Sequence, residues 1–357
     1  MANAPIKLLI AASGTGGHLF PAIAMAEKLP DYEIEWLGVP NRLETQLVPQ
    51  KYKLNTVAVA GFQQGWSLAS LKILGRAIAS IFQVRQILQK GKFRGLFTTG
   101  GYIAGPAVIA ARSLGLPILF HESNALPGKV TRFFGPMCTN VALGFEVAAQ
   151  YLPRAKNVYV GTPVRSQFLD QETGDTLDLP IPDHVPLILV FGGSQGAVAL
   201  NRLVRQAAIA WWEAGAYIVH LTGEQDPEVG SIQHAQYIEM PFYHNMAPLL
   251  RRASLAISRS GAGSLTELAI CGTPAILVPY PFAAEDHQSY NAEVFTQAGA
   301  ALVFKQAELT AEVLKTEVLR LLSSPVELAK MKASALAIAV PESVDKLACL
   351  LREIVET

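Results

Sequence analysis

The sequence predicts an α/β protein made of two doubly wound, Rossmann-like domains, and three observations predict it. Each half opens on an apolar run of strand length, a glycine-rich turn and a helical pattern, first over Lys7–Leu29 and again over Leu187–Glu213. Between them, Asp170–Pro186 is rich in Asp and Pro and weak in pattern, as a linker is. The 357 residues exceed what one hydrophobic core usually organises, and half of them are apolar with only 16% charged.

In the first half, Lys7–Ala12 reads as a buried parallel strand because its apolar residues run without alternation. Ser13-Gly14-Thr15-Gly16-Gly17-His18 follows, then the helical pattern Leu19–Leu29 and a second strand, Ile34–Val39. The layout is that of a dinucleotide fold, but the GxGxxG fingerprint fails: counted from Gly14, its third glycine position is Leu19. No acidic residue closes the second strand, where Val39 runs into Pro40-Asn41, so NAD is not expected. A P-loop nucleotidase is excluded as well, since GxxxxGKS/T is absent. Leu68–Leu88 is apolar at helical spacing around Gly75. Lys72, Arg76 and Arg85 keep its apolar runs below the roughly 20 residues that span a bilayer, which leaves a core or an interfacial helix. Thr98–Tyr102 is a second glycine turn and leads into the helix Ala104–Leu114. The strand Ile118-Leu119-Phe120 ends in His121-Glu122-Ser123-Asn124, polar groups placed where an open α/β sheet meets its ligands. Tyr159–Arg165 closes the half.

The second half repeats the grammar. Strand Leu187–Phe191, glycine turn Gly192-Gly193-Ser194-Gln195-Gly196-Ala197 and helix Val198–Glu213 precede further strands at Tyr217–Leu221 and Tyr237–Met240. The stretch Ser258–Asn291 concentrates the chemistry. An apolar run (Leu255-Ala256-Ile257) turns at Ser260-Gly261-Ala262-Gly263, a helix runs over Ser264–Cys271, and a second run, Ala275–Val278, ends at Pro279. Glycines admit an anion close to backbone N–H groups, and the helix N-terminus adds a favourable dipole. Glu267 lies one turn into that helix, and Glu285, Asp286, His287, Gln288 and Asn291 follow Pro279. A phosphate cradle, a carboxylate and an amide cluster together point to a nucleotide sugar, whereas the turn alone could be only a tight connection. The ligand is expected in a cleft between the two domains. The last helix, Ser343–Glu356, carries an apolar face and is expected to pack.

A net charge of zero hides an asymmetry. Residues 1–165 hold 17 Lys/Arg against 7 Asp/Glu, and residues 166–357 hold 12 against 22. Between Glu44 and Glu122 no acidic residue occurs, while nine basic ones do. A basic half meets something anionic: nucleic acid, phosphate or a membrane surface. The three cysteines are far apart, without CxxC spacing, which argues against a metal site or a disulfide framework. No signal peptide is recognised, and a cytoplasmic location is expected.

Seven motifs now occur in one order: Gly14-Thr15-Gly16-Gly17-His18, Gly100-Gly101-Tyr102, His121-Glu122-Ser123-Asn124, Gly161-Thr162-Pro163-Val164-Arg165, Gly192–Ala197, Arg259-Ser260-Gly261-Ala262 and Asp286-His287-Gln288. Together, from about residue 7 to at least Ala300, the chain resembles the MurG family of N-acetylglucosaminyltransferases. The resemblance implies the GT-B fold, two Rossmann-like domains facing a central cleft, and donor binding without metal or other cofactor. It also implies inverting transfer of GlcNAc from UDP-GlcNAc to the MurNAc 4-hydroxyl of undecaprenyl-linked lipid I, giving lipid II for the peptidoglycan wall. Nucleic acid has no part in that reaction, and the location implied is peripheral, at the cytoplasmic face of the bacterial inner membrane. By this resemblance, residues 1–165 face acceptor and membrane, 166–340 bind UDP-GlcNAc, and 341–357 form a C-terminal helix.

Carried over by motif position, Thr15, Gly16 and Gly17 face the donor, and Asn124 and Arg165 line the cleft. Ser194 approaches the diphosphate, and Ala262, Gly263, Ser264, Leu265, Thr266 and Glu267 hold phosphate and ribose. Glu267 accepts the ribose hydroxyls, Gln288 and Asn291 read the sugar, and the backbone near Tyr243 meets the uracil. Thr162, Ser123 and His244-Asn245 depart from the family's usual Asn, Gln and acidic pair, which bears on the uracil contacts.

Inverting transfer needs a base for the acceptor proton and stabilisation of the departing diphosphate. Without metal, helix N-termini and backbone amides supply the second. His18 is the candidate base, since an imidazole ordinarily titrates near neutrality, although it could instead cap the helix or bind phosphate. Glu122 is its partner or the base itself. His287 could be a turn residue, and His220 and His234 stand outside any motif. Other readings on the same fold are a UDP-GlcNAc 2-epimerase and a non-catalytic nucleotide-sugar-binding protein. Membrane docking is assigned to Leu71, Lys72, Leu74, Arg76, Ile78, Ile81, Phe82 and Arg85: helical spacing alone favours core, and the charge asymmetry turns the reading to docking.

Overall fold

The computed structural model describes residues 5–59, 68–170, 177–193 and 196–356, with the side chains of 68–74 left out of the description. It divides into two compact units, Met1–Arg165 with Pro341–Thr357, and Ser166–Val340. In the first unit the chain runs β1 (Ile6–Ala12), α1 (Gly16–Glu27), β2 (Tyr32–Gly38), α2 (Glu44–Leu47), β3 (Lys53–Thr56) and α3 (Leu68–Gly91). It continues through β4 (Gly95–Gly100), α4 (Ala104–Ser113), β5 (Ile118–Glu122), α5 (Lys129–Phe134), β6 (Asn140–Leu143) and β7 (Asn157–Tyr159). All pairings are parallel, in the order β3-β2-β1-β4-β5-β6-β7.

β1 is covered on both faces, which is why its apolar residues do not alternate with polar ones. Leu8, Ile10 and Ala12 pack with α1, while Leu9 and Ala11 pack with residues of α3 and α4. The strand order reverses between β1 and β4, so the segments after their carboxyl ends, Ser13–Gly17 and Gly101 onward, border the place where such sheets bind ligands.

The second unit runs β8 (Leu187–Phe191), α6 (Val198–Glu213), β9 (Tyr217–Leu221), β10 (Tyr237–Met240), α7 (Met246–Arg252) and β11 (Leu255–Ser258). There follow α8 (Ala262–Cys271), β12 (Ala275–Leu277), α9 (His287–Gln297), β13 (Ala301–Val303), α10 (Ala311–Leu322) and α11 (Pro325–Ala337). Its sheet, also parallel, has the order β10-β9-β8-β11-β12-β13 and reverses between β8 and β11. The two sheets bear out the predicted pair of doubly wound domains.

The last helix, α12 (Ser343–Val355), returns to the first unit. Leu347, Leu350, Leu351 and Val355 join the buried cluster of Leu8, Ile10, Leu19 and Met25. Arg352 pairs with Asp31 at 2.5 Å, and the Tyr32 hydroxyl donates to Glu356 at 2.7 Å. Among the described residues no helix is long and apolar enough to cross a membrane.

Candidate functional site

In the second unit the site is built around the N-terminus of α8. β11 ends at Ser258, and Arg259-Ser260-Gly261 leads straight into the helix. The first-turn amides of Ala262, Gly263 and Ser264 have no acceptor within the helix, and they carry the positive end of its dipole. A side chain at Gly261 or Gly263 would meet nothing within 4 Å, and neither glycine has a positive φ. Neither packing nor backbone strain demands glycine there; its effect is to leave the helix end open to an anion. Glu267 is half-buried and stands four residues after Gly263, on the same helix face.

The segment ahead of α8 is braced from behind. Arg259 is buried and donates to the carbonyls of Val278 at 3.0 Å and Pro279 at 3.2 Å, and to Gln306 Oε1 at 2.5 Å. Burial pushes its pKa down from the usual guanidinium value. Ser260 Oγ donates to the Gln288 carbonyl at 2.8 Å, and Asn291 Nδ2 donates to the Ser260 carbonyl at 3.1 Å. Gln288 Oε1 accepts from Tyr280 N at 2.9 Å, while its Nε2 has no partner among the described residues. Glu285 and Asp286 both hold left-handed φ, at 53° and 55°, a strained pair just before α9. His287 Nδ1 donates to the Ala284 carbonyl at 2.8 Å, as a turn residue does.

Several sequence expectations change here. Leu265 was assigned to the donor, but its side chain is in the core and its amide donates to the Gly261 carbonyl at 3.0 Å, so it shapes the turn. The Thr266 hydroxyl donates back to the Ala262 carbonyl at 2.9 Å. Asn291 is fully buried, and its Nδ2 braces the Ser260 loop. Tyr243 is buried, and its hydroxyl donates to Asp178. Ser194 lies outside the described residues. A polar cluster that the sequence did not announce joins Asn201, Arg205, His220, Asp226, Tyr237 and Glu239. Burial lowers the His220 pKa to about 3, so it is a neutral core histidine donating to Asn201 Oδ1 at 3.0 Å.

In the first unit, α1 starts at Gly16 and not at Leu19, so His18 sits in its first turn and not in a loop. Thr15 ends the loop, and its carbonyl accepts from His18 N and Leu19 N at 3.0 and 3.1 Å. His18 Nδ1 lies 2.6 Å from the Thr99 carbonyl, and Thr99 Oγ1 donates to the His18 carbonyl at 2.8 Å. A nitrogen facing a carbonyl must carry the proton, which puts the lone pair of the neutral ring on Nε2. Gly100 makes room for the ring: it has φ 104°, and a Cβ there would come within 3.0 Å of His18 Cε1. Thr15 and Gly17 are exposed, and Gly16 is buried.

Glu122 requires a correction. Its Oε1 accepts from Asn124 N and Nδ2 at 2.9 and 3.0 Å, and its Oε2 from Gly128 N and Thr131 Oγ1 at 3.1 and 2.5 Å. Four donors fill the lone pairs that a base needs, so Glu122 organises the loop that carries Asn124. His121, fully buried and with its pKa pushed down by burial, donates to the Gly161 carbonyl at 3.0 Å. Ser343 Oγ of α12 donates to the neighbouring Thr162 carbonyl at 3.0 Å. Both fix the loop that ends at Arg165, whose guanidinium lies 4.9 Å from the Phe20 ring centroid.

On α3, Arg76, Ile78 and Phe82 are exposed, Phe82 to 61%. Ile81 leans on the core, and half-buried Arg85 donates to the Ser113 carbonyl at 3.1 Å, so neither presents itself as assigned. Leu71, Lys72 and Leu74 lie outside the described side chains. Phe133 of α5, 73% exposed and following Arg132, was missed; the signal was Arg132-Phe133-Phe134 within the basic half.

Comparison with known proteins agrees with this architecture. Residues 8–143 match the glycosyltransferase family 28 N-terminal domain, and residues 187–347 match its C-terminal domain. The chain is 77% identical over 356 residues, covering 100% of both chains, to the UDP-N-acetylglucosamine–N-acetylmuramyl-(pentapeptide) pyrophosphoryl-undecaprenol N-acetylglucosamine transferase of Trichormus variabilis. It is 60% identical to the transferase of the same name from Trichodesmium erythraeum, covering 99% of this chain and 94% of that one. The crystal structure of Acinetobacter baumannii MurG superposes with a TM-score of 0.80 at 29% identity, covering 98% of this chain and 100% of that one. A putative UDP-N-acetylglucosamine 2-epimerase from Listeria monocytogenes gives 0.69 at 16% identity, covering 99% and 98%, a likeness of fold alone. Matched in both domains and along its whole length, the chain belongs to glycosyltransferase family 28 and, within it, to the MurG family.

Proposed function

We propose that the chain transfers N-acetylglucosamine from UDP-GlcNAc to the 4-hydroxyl of MurNAc on undecaprenyl-pyrophosphoryl-MurNAc-pentapeptide, with inversion, to give lipid II for wall synthesis. The observation that carries this is full-length identity of 77% to a transferase of that name. The 2-epimerase alternative has only a 16%-identical likeness of fold behind it.

In this reading the unit 166–340 binds the donor. The open amides of Ala262, Gly263 and Ser264 take the diphosphate and stabilise the charge that grows on it as the glycosidic bond breaks. Glu267 accepts from the ribose hydroxyls, and Gln288 Nε2 donates to the sugar. The first unit serves the acceptor. His18 Nε2 takes the 4-hydroxyl proton as that oxygen attacks the anomeric carbon from the face opposite the leaving UDP. Thr15, Gly17, Asn124 and Arg165 present polar groups to the reacting pair. Radiolabelled UDP-GlcNAc supplied with lipid I tests the function: label enters the butanol-extractable lipid. An epimerase would put the label into UDP-ManNAc with no lipid product, and a binding protein would leave it in the donor.

The acceptor is lipid-bound, so the enzyme works peripherally at an anionic membrane, on its cytoplasmic face. Arg76, Ile78, Phe82 and Phe133 support docking by the first unit, where each basic residue near such a surface adds roughly 1 kcal/mol. Lys72→Glu with Arg76→Glu replaces attraction by repulsion twice, so binding to phosphatidylglycerol vesicles falls at least about tenfold. UDP-GlcNAc binding is retained, and salt weakens the parent's binding in the same way. Equal binding to neutral and anionic vesicles would remove the electrostatic part.

A further inference from the structure

We infer that Glu44 is a positioning residue of the transfer reaction: it fixes the segment Gly14–His18 and thereby the stance of His18. The inference rests on the transferase reading above. Glu44 is fully buried at the head of α2, and among the described residues no cation pairs with it. A carboxylate withdrawn from water persists only where donors replace its hydration. Two backbone amides from separate segments do so: Val39 N donates to Oε1 at 2.7 Å, and Gly14 N donates to Oε2 at 3.2 Å.

Those amides lie just beyond the carboxyl ends of β2 and β1, which are neighbours in the sheet. Glu44 therefore ties two strand ends together at the edge where the site is built. The local sequence is shaped for it. Asn41 takes φ 58°, within the reversal that returns the chain to the strand end. At Gly38 a Cβ would come within 2.7 Å of Glu44 Cγ. From Gly14 the constraint reaches His18 directly, because the Thr15 carbonyl accepts from His18 N at 3.0 Å.

In dinucleotide folds an acidic residue beyond the second strand accepts the ribose hydroxyls. Here an acidic residue does reach that end of the sheet, from five positions past Val39. Both of its oxygens face backbone amides, so it serves the glycine segment and not a ribose.

Glu44→Gln keeps the shape but sets an NH2 against one of the two amides, and Glu44→Ala removes both acceptors. The Gln variant should lower kcat about tenfold, the scale of one lost hydrogen bond in the transition state, with the Kd for UDP-GlcNAc within about twofold. Hydrogen exchange should quicken in peptides containing Gly14 and Val39 and stay unchanged in the 166–340 unit. Unchanged kcat with a loosened Gly14 amide would overturn the inference, as would exchange and donor affinity that deteriorate everywhere together. A parent enzyme that labels no lipid would instead count against the transferase reading, while the exchange data would still decide whether Glu44 holds the segment.

Discussion

His18→Ala lowers kcat by about 10² or more, the contribution of a positioned general base, while the Kd for UDP-GlcNAc changes little. The Nδ1 of the imidazole faces the Thr99 carbonyl at 2.6 Å, and the backbone on either side is fixed by Thr99 Oγ1 and Thr15. That fixes the tautomer, so a neutral ring presents its lone pair at Nε2. Alanine removes both the lone pair and the anchor, and His18→Asn separates them. The asparagine amide can still donate to the Thr99 carbonyl but offers no base, so its kcat should fall as far as that of the alanine variant. Steady-state kinetics with saturating lipid I, alongside titration with UDP-GlcNAc, checks both. Recovery of most of the activity in His18→Asn would make the residue an anchor. Intact kcat with weakened donor binding would make it a phosphate ligand.

Glu267→Ala raises the KM for UDP-GlcNAc and lowers kcat/KM by about ten- to a hundredfold, the equivalent of a charged hydrogen bond worth roughly 1.5–3 kcal/mol. The carboxylate stands on the face of α8 that Gly263 leaves open, one turn behind the amides proposed for the diphosphate. A donor lacking a ribose hydroxyl provides the second leg of a double-mutant cycle: it should be poorer than UDP-GlcNAc for the parent and equal to it for Glu267→Ala. An unchanged donor KM in the folded variant would remove Glu267 from the site.

The parts of this fold legible in the sequence are those buried on two faces. β1, β8 and β11 are continuous apolar runs because residues on both of their faces are buried, and a glycine turn follows each at the sheet's ligand edge. The edge strand β3 reads Lys-Leu-Asn-Thr, too short and too polar to carry a pattern, and β6 and β7, of four and three residues, are no longer than it. Site residues were legible as types, and their roles less so. Glu122 was left open between partner and base because a carboxylate at a strand end suits either; only the fold sets four donors upon it. Leu265 fell inside a ligand motif, yet the helix turns it to the core. Glu44 was passed over because its target, the Gly14 amide, is thirty residues earlier and leaves no trace in side-chain pattern.

The return of α12 to the first unit reverses the usual order in which a growing polypeptide completes its domains, N-terminal first. The 166–340 unit is continuous, and every residue of its core has been added to the chain before α12 is made. The first unit must wait, because Leu347, Leu350, Leu351 and Val355 follow the whole 166–340 unit in the chain, and Leu8, Ile10 and Met25 stay uncovered on that side until they arrive. The half synthesised first is therefore the half finished last, and its apolar flank is the surface a nascent chain must shield longest.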